Sequence, residues 1–317
     1  MPQFDIAGVG LNATDTLIFV DGYPASPGKA RILREVVSLG GQVASALTVC
    51  ARFGLRASYV GCVGDDERGR VQLSSLSSLG IDVSGVRIRS GCRSQYAYIV
   101  VDVSTAERTI VWDRDDRLAI APEEISESQI AGARLLHIDG HDTAAVARAA
   151  AIARARGIPV SADVDTVYPG LEAVLPNVDY LISGSGFPGR WTRETDLFRA
   201  LERVRNEYGF RLAAATLGEY GVLALVEGRF HYIPGFQIDA VDTTGAGDVF
   251  HGAFCYAVLE GMKMVDALEF ASATAALNCS APGARGGIRE LGEIRAFMRN
   301  ASRREHPKLH SRSAATI

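Results

Sequence analysis

The sequence is poor in the residues that build disulfide frameworks, zinc sites and nucleic-acid interfaces. It has five cysteines among 317 residues, and none of them forms a CxxC pair. An odd number of widely spaced cysteines indicates reduced thiols rather than a disulfide framework or a structural zinc site. Lys and Arg, at 33, are outnumbered by Asp and Glu, at 37, which gives a net charge of -4. We therefore expect no nucleic-acid partner.

Long apolar runs are missing as well. No stretch reaches the length of a membrane span, and the first residues lack the basic and apolar regions of a signal peptide. We therefore expect a cytoplasmic protein with no membrane partner. Apolar residues nevertheless make up 47% of the sequence, which is enough for a large core. The length allows two domains, although α/β folds of this size are often a single domain.

The most informative stretch is DTTGAGD at residues 242–248. It follows a β-like run at 229–233 and precedes apolar residues at helical spacing, so its glycines stand where a loop becomes a helix. Gly245 and Gly247 lack a Cβ, which permits a tight turn and a close approach of backbone N–H groups to a ligand. A helix N-terminus also presents unpaired N–H donors, so this stretch is suited to an anion.

Asp248 follows the glycines, so its carboxylate would repel an anion that binds at this helix start. This position makes chemical sense for a general base, because an acceptor hydroxyl must lose its proton near the phosphoryl group that it attacks. The structural alternative is that Asp242 or Thr244 caps the helix and the glycines only turn the chain. The specificity of the full seven-residue string favours the functional interpretation.

The DTTGAGD string resembles the second signature of the ribokinase-like (PfkB) family of carbohydrate kinases. This resemblance implies that Gly245, Ala246 and Gly247 form an anion hole and that Asp248 is the catalytic base. It also implies an α/β fold, a three-layer α/β/α sandwich with a mainly parallel central sheet and a small β-sheet lid. The implied activity transfers the γ-phosphoryl group of ATP to a sugar hydroxyl, with ATP and Mg²⁺ as cofactors.

A glycine pair, Gly40 and Gly41, opens the first clear helical pattern. Such a pair can bring backbone N–H groups to a substrate, although a plain loop is the simpler alternative. Its place resembles the first signature of the same family, in which an Asn follows shortly after the glycines. Here Gln42 follows the pair, and Ser45 stands at the Asn position. The resemblance implies that these four residues bind the sugar, and it extends from residue 4 to about 298.

Three further residues are candidates for contact with the sugar. Asp15, after the first predicted strand, is either a turn residue or, by the resemblance, a ligand of sugar hydroxyls. Trp112 either faces the substrate or packs in the lid or at a dimer interface. Lys29, after a proline-rich turn, is one of several features that look most like the ketohexokinase and sulfofructose kinase branch. That branch implies a ketose or a similar sugar as the substrate.

Extended segments interrupt the expected alternation of strands and helices. Residues 12–38 and 93–118 contain strand patterns, the second with a hairpin turn at 104–106, and they are predicted to leave the main sheet as a β lid. The remainder of residues 1–300 is expected to form a single kinase domain, and 301–317 a polar, basic, solvated tail. Since a small lid sheet has open edges, the resemblance implies a homodimer through the lid.

From residue 135 onward, strand and helix patterns alternate regularly. This alternation predicts parallel strands that are covered by helices on both faces. Ligands bind at the carboxyl ends of such strands. Four polar residues are predicted at these ends: Asp139, His141, Asp163 and Asp165.

A second glycine turn has the pattern T-x-G-x-x-G at Thr216, Gly218 and Gly221. A hairpin turn is the simplest interpretation, whereas the resemblance implies contact with the phosphates of ATP, and both can hold. The adenine is expected near the end of a long helix predicted at 265–280. The further nucleotide contacts that the resemblance implies are Thr243, Gly245 and, in the adenine pocket, Asn278.

The resemblance also bears on metal ions. Relatives carry an Asn-x-x-Glu motif that organises Mg²⁺ and phosphate, and this sequence has Ser-Gly-Ser-Gly at the corresponding residues, 183–186. The acids are therefore missing at this place. A monovalent cation such as K⁺ is implied at a second place, formed by Asp242 and Thr244 with backbone carbonyl groups near Asn278, Ala281 and Gly283.

Two other functions share this sequence pattern. A nucleoside kinase has the same fold and the same signatures as a sugar kinase. A non-catalytic scaffold on the kinase fold belongs to another class of function, and the altered first signature and the missing Asn-x-x-Glu acids favour it. The retained Asp248 argues against a scaffold, because a scaffold has no need of a base.

Overall fold

The computed structural model describes residues 2–105 and 107–307. Ala106 of the expected hairpin turn and residues 308–317 of the expected tail lie outside the described residues. Within the described ranges, no helix combines the length and the apolar character needed to cross a membrane.

The described residues form sixteen strands, several of them short. In chain order the strands are β1 (Ile6–Val9), β2 (Ala13–Val20), β3 (Arg34–Gly40), β4 (Ala57–Val60), β5 (Cys62–Gly64), β6 (Arg87–Arg89), β7 (Tyr96–Asp102), β8 (Arg108–Asp113), β9 (Leu135–Asp139), β10 (Val160–Val164), β11 (Tyr180–Gly184), β12 (Leu212–Thr216), β13 (Val222–Val226), β14 (Arg229–Ile233), β15 (Gly235–Phe236) and β16 (Arg303–Arg304).

Ten α-helices lie in the same described ranges, together with short 3-10 turns. The helices are α1 (Gln42–Arg52), α2 (Glu67–Ser78), α3 (Glu127–Ile130), α4 (Thr143–Ala155), α5 (Leu171–Val174), α6 (Gly186–Thr192), α7 (Leu197–Tyr208), α8 (Ala246–Leu259), α9 (Met264–Asn278) and α10 (Leu291–Asn300).

The central sheet has eight strands in the order β14-β13-β12-β11-β10-β9-β1-β4. All neighbours from β12 to β4 pair in parallel. At the other edge β13 pairs antiparallel with both β12 and β14, so β13 alone of these eight strands runs in the opposite direction. Strands β9 and β10 are buried along their whole length, as expected for parallel strands with helices on both faces. The prediction of a mainly parallel central sheet is therefore confirmed.

Two hydrophobic cores cover the two faces of this sheet. One contains the apolar faces of α1, α8 and α9, and the other those of α4 and α7. Helix α4 begins after Asp142 and ends before Gly157, whose φ of 66° lies in the left-handed region that favours glycine at helix ends. The two cores and the sheet between them make the three layers that the sequence predicted.

A separate four-stranded sheet, which we call the lid, has the order β3-β2-β7-β8. Strands β2 and β7 pair in parallel, and the outer pairs are antiparallel. One face of the lid has a small core of its own around Leu17, Phe19 and Ile99. Strand β3 ends at Gly40, directly before α1, so the lid leads into the start of the first helix.

The described part of the tail is not merely solvated. Arg303 and Arg304 form β16, which pairs antiparallel with Phe236 and Gly235 of β15. The guanidinium of Arg303 lies 3.4 Å from the ring centroid of Phe236 and also contacts Glu269. This pairing differs from the expected solvated tail, and its cause is a strand edge at β15 that the residues after α10 cover.

Candidate active site

The DTTGAGD loop has the backbone shape that its sequence predicts. Gly245 precedes α8 and has a φ of 70°, in the left-handed region that favours glycine. A Cβ placed on Gly245 would lie 2.4 Å from the carbonyl oxygen of Ala284, so the loop that follows α9 packs directly on this glycine. The fully buried Asp242 holds the turn, because its Oδ1 accepts a hydrogen bond from the N–H of Thr244 and its Oδ2 one from Gly283.

Asp248 lies in the first turn of α8 and is partly buried. Burial is the largest cause that raises the pKa of Asp248 to about 7, and the nearby carboxylates of Asp163 and Asp15 raise it further. His251 and Arg285 act in the opposite direction, because their positive charge favours the ionised carboxylate. Asp248 therefore titrates near neutral pH, where a general base works best.

A buried pair lies beside Asp248. The Nε2 atom of His251, one turn after Asp248 on α8, lies 3.2 Å from Oδ1 of Asp163, at the carboxyl end of β10. Burial opposes the ionisation of Asp163, but His251 and a hydrogen bond from Gln42 hold the pKa of Asp163 below its usual value. Gln42, predicted to bind the sugar, therefore connects the start of α1 to the surroundings of Asp248.

The predicted acceptor residues converge at the end of the lid. The side chain of Asp15 is buried, and burial raises its pKa to about 6. A Cβ on Gly40 would lie 2.0 Å from Oδ2 of Asp15, so this carboxylate occupies the space that a side chain would need. Gly41 has a φ of 86° and lies against Asn12, whose buried side-chain amide has no hydrogen-bond partner in the described chain.

The same place holds a residue that the sequence did not indicate. Arg285 is only 7% exposed, and its Nε donates a hydrogen bond of 3.1 Å to Oγ of the buried Ser45. One terminal nitrogen, Nη2, donates a hydrogen bond of 2.6 Å to the carbonyl oxygen of Gly40. The other, Nη1, is buried without a partner among the described residues. Burial lowers the pKa of Arg285 to about 10, so the guanidinium stays charged at neutral pH.

On the other side of the DTTGAGD loop is a cavity of about 940 Å³. Six of the residues predicted for the nucleotide or the anion hole line it, and so do residues of α9 and the lid hairpin, including Arg108, which contacts Thr243. Arg304 of β16 also lines the cavity, so the tail is part of its wall. The predicted lining residues are Thr216, Gly218, Gly221, Thr243, Ala246 and Gly247.

Three predicted site residues lie elsewhere. Trp112 is 59% exposed on β8, and Lys29 is exposed in the loop between β2 and β3; neither lines the cavity. Asn278 is fully buried, and its amide donates to the carbonyl oxygen of Ala284 and accepts from the N–H of Gly287. The side chain of Asn278 thus holds the loop after α9, and its contact with adenine stays a prediction. Its neighbours on α9, Ala275, Ala276 and Cys279, line the cavity instead.

The described residues contain no group of three or more His, Cys, Asp or Glu side chains that could hold a metal ion. The residues expected at a monovalent-cation site do lie together. Asp242 binds the N–H of Gly283, and the hydroxyl of Thr244 is buried without a partner in the described ranges. Asn278 holds the loop that contains Gly283, and the N–H of Ala281 donates to the carbonyl oxygen of Asn278.

Comparison with known proteins decides the family. Residues 5–291 match the sequence profile of the pfkB family carbohydrate kinases. The chain belongs to the pfkB family. As a member of this family it is a carbohydrate kinase, a phosphotransferase that uses a sugar hydroxyl as acceptor.

Individual relatives agree with the pfkB assignment. The chain is 31% identical over 275 residues to the ATP-dependent ribose-1-phosphate kinase of Halopiger xanaduensis, covering 86% of this chain and 90% of that protein. It is 28% identical to the ribokinase of Haemophilus influenzae, covering 84% and 89%. The crystal structure of a putative ribokinase from Agrobacterium tumefaciens superposes with a TM-score of 0.86 at 32% identity, covering 93% and 97%.

This crystal structure confirms the ribokinase-like fold of the pfkB protein. The placement within the ketohexokinase and sulfofructose kinase branch stays a prediction. The sequence missed Arg285, Arg108 and the Asp163–His251 pair. For Asp163 a signal was present, because it ends a predicted strand. Arg108 begins a predicted strand of the lid but carried no sign of a role in the site, and Arg285 stands in a segment without a periodic pattern.

Proposed function

We propose that this pfkB protein transfers the γ-phosphoryl group of ATP to a hydroxyl of a ketose or a similar sugar, with Asp248 as the base. One observation carries this proposal. Ala246 and Gly247 line the large cavity, whereas the next residue, Asp248, lies near Asp15 and the junction of β3 and α1 at residues 40–45, which we call the acceptor loop. A phosphoryl donor in the cavity and a sugar at the acceptor loop would meet at the start of α8.

In this mechanism the N–H groups of Gly245, Ala246 and Gly247 hold the negative charge of the transferring phosphoryl group. The carboxylate of Asp248 takes the proton of the attacking hydroxyl, which becomes the nucleophile. Asp15 and Gln42 orient the sugar through its other hydroxyl groups. The cavity beyond the glycine loop holds the nucleotide, with Thr216, Gly218, Gly221 and Thr243 near its phosphates.

Mg²⁺ fits this arrangement, because it binds through one or two carboxylates and the phosphates of a nucleotide rather than in an all-protein cage. When bound, Mg²⁺ neutralises charge on the phosphates of ATP.

A monovalent cation such as K⁺ fits the neighbouring turn. The buried hydroxyl of Thr244 lacks a partner in the described chain, and the fully buried carboxylate of Asp242 would lie beside the ion. Carbonyl groups near Asn278, Ala281 and Gly283 would complete the site. The ion would offset the charge of Asp242 and stabilise the loop that carries the anion hole.

An ATP-consumption screen over sugars and nucleosides tests the proposed function. The panel should contain ketohexoses, ribose, ribose 1-phosphate and nucleosides, because names of relatives include ribokinase, fructokinase and ribose-1-phosphate kinase. We expect turnover with a sugar and none with nucleosides. Turnover with nucleosides alone would make the protein a nucleoside kinase, and no turnover with any acceptor would favour the scaffold.

We propose that residues 1–300 form one kinase domain, with lid segments at about 12–38 and 93–118, and that two lids pair in a homodimer. Strand β8 is an edge of the lid sheet and is exposed along most of its length. Val37, Val111 and Trp112 expose 65%, 62% and 59% of their surface on the lid. Open apolar edges of this kind are a liability unless a partner covers them.

The substitution Val111→Glu is expected to convert a dimer into a monomer, because it places a charge at the edge that the partner would cover. Light scattering at micromolar concentration measures the mass. The matched control is Ile88→Glu on β6, where an equally exposed apolar side chain, at 61%, lies outside the lid. A wild-type protein with the mass of a monomer and full activity would contradict the shared lid.

A further inference from the structure

The guanidinium of Arg285 is buried, is held by two hydrogen bonds, and has one nitrogen without a partner among the described residues. Its Nε and Nη2 atoms are fixed on Ser45 and on the carbonyl group of Gly40, both in the acceptor loop. Its Nη1 is buried and makes no hydrogen bond to the described residues. A buried hydrogen-bond donor without a partner costs free energy, so the position of Nη1 calls for an explanation in terms of the function of the site.

The backbone around Arg285 is fixed on the opposite side, against the anion-hole loop. Ala284 touches Gly245 so closely that a Cβ on the glycine would clash with it. The amide of Asn278 holds Ala284 and Gly287 on either side of Arg285. One residue therefore spans the two halves of the site: its main chain lies against the phosphoryl loop, and its side chain holds the acceptor loop.

The charged groups around Asp248 come from four elements. On α8 itself there is His251, on β10 Asp163, on β2 Asp15, and after α9 Arg285. Asp15 in turn is influenced by Arg285 and by Asp242 of the glycine loop. Arg285 also lies near Tyr59 and Arg52. Among these groups, Arg285 is the cation that influences both Asp15 and Asp248.

We propose that Arg285 is a positioning residue of the phosphoryl transfer: the fork of its guanidinium, formed by the donors Nε and Nη2, fixes the acceptor loop at Ser45 and Gly40, and its positive charge faces Asp15 and Asp248. This inference rests on the proposed function, because it assigns Asp248 as the base and Asp15 as a sugar ligand. The two parts of the role are separable, since the charge acts through space and the fork acts through hydrogen bonds.

The charge part follows from electrostatics in a buried site. A positive charge near a carboxylate favours its ionised form, and the effect is larger where water is excluded. Without the guanidinium, Asp248 would remain protonated to a higher pH and would be unable to accept a proton there. The fork part follows from geometry, because a guanidinium presents several donors in a fixed plane and an ammonium does not.

Two substitutions separate these parts. Arg285→Gln removes the charge. We therefore expect the acid limb of the pH profile of kcat/KM to move to higher pH by about 1 unit. Arg285→Lys retains the charge but loses the fork, so we expect an unchanged acid limb and an acceptor KM that rises on the order of 10-fold. The KM for ATP should change little in both variants. The matched control is Arg289→Gln, an exposed arginine nearby that bonds Ser280, with no expected effect.

A titration that needs no turnover separates this inference from the proposed function. In protein labelled with ¹³C at the Asp carboxyl carbons, the signals of Asp15 and Asp248 are assigned through the Asn variants. Both pKa values should rise in Arg285→Gln and stay in place in Arg285→Lys, and thermal unfolding of each variant confirms that it is folded. If wild type has no turnover with any acceptor, the proposed function fails and the titration still tests the charge effect.

Two results would overturn the charge part of the inference, and a third would overturn its hydrogen-bonding part. The first is an Arg285→Gln variant that has wild-type turnover and in which the acid limb and the carboxyl pKa values are the same as in the wild type. The second is an acid limb that moves equally in Arg285→Lys and Arg285→Gln, because the charge would then not be its cause. A folded Arg285→Lys variant with a wild-type KM for the acceptor would refute the role of the guanidinium hydrogen bonds in positioning the acceptor loop.

Discussion

Asp248→Asn is expected to lower kcat by a factor of about 10²–10⁴ and to leave ATP binding nearly unchanged. The amide has the size of the carboxyl group but cannot accept the proton of the acceptor hydroxyl. The proposed nucleotide cavity is lined by other residues, including Thr216 and Thr243, which the substitution leaves in place. Steady-state kinetics with the accepted sugar and a direct ATP-binding titration measure the two effects.

A matched control for this variant is Asp266→Asn, because Asp266 also lies in the first turn of a helix, α9, and outside the cavity lining. It should retain wild-type kcat. Turnover at the wild-type level in Asp248→Asn would remove Asp248 from the role of base.

The wild-type pH profile gives an independent view of the same residue. Burial raises the pKa of Asp248 to about 7, and only the ionised form can act as a base. Activity should therefore be low below this pKa and rise as the pH passes through about 7. This increase of activity with pH should be absent from the residual activity of Asp248→Asn. If the increase persists in that variant, it reports the titration of another group.

Gly245→Ala is expected to reduce both stability and activity. An alanine at a φ of 70° enters the left-handed region, which costs about 1–2 kcal/mol. Its Cβ would also lie 2.4 Å from the carbonyl oxygen of Ala284, so the two loops must separate. Because this contact aligns the proposed anion hole with the loop that carries Arg285, we expect kcat/KM to fall on the order of 10²-fold.

The control is Gly247→Ala, two residues further along the same loop. A Cβ there meets no atom within 4 Å, and the residue lies inside α8, where alanine is preferred to glycine. This variant should be at least as stable as wild type in urea unfolding and should affect mainly the KM for ATP, because Gly247 lines the cavity. Equal stabilities of the two variants would show that the contact with Ala284 does not strain the chain.

The sequence predicted the glycine loop well because its signal is local. A left-handed glycine, a helix start and an acid in the first turn are all consequences of neighbouring residues. The parallel sheet was predicted for a similar reason, since the alternation of strand and helix determines it. The strands of the lid were predicted too, from extended segments that interrupt this alternation.

Contacts between distant residues could not be predicted in the same way. The hydrogen bond from Arg285 to Ser45 joins residues 240 positions apart, and nothing in the local sequence marks that arginine. The hydrogen bonds of Asn278 are a second example, because a polar residue at a helix end can hold a loop and only the fold shows which way its amide faces. The pairing of β15 with β16 likewise depends on an open strand edge that exists only after folding.

The lid sheet contributes to both sides of the proposed site, since β2 carries Asp15 beside the acceptor loop and the hairpin of β7 and β8 lines the proposed nucleotide cavity with Arg108. A ligand that changes the position of this sheet on one side changes the binding free energy on the other. Thermodynamic linkage makes the effect reciprocal, so the factor by which the sugar alters the affinity for ATP equals the factor by which ATP alters the affinity for the sugar. The two substrates should therefore bind with a measurable coupling free energy rather than independently.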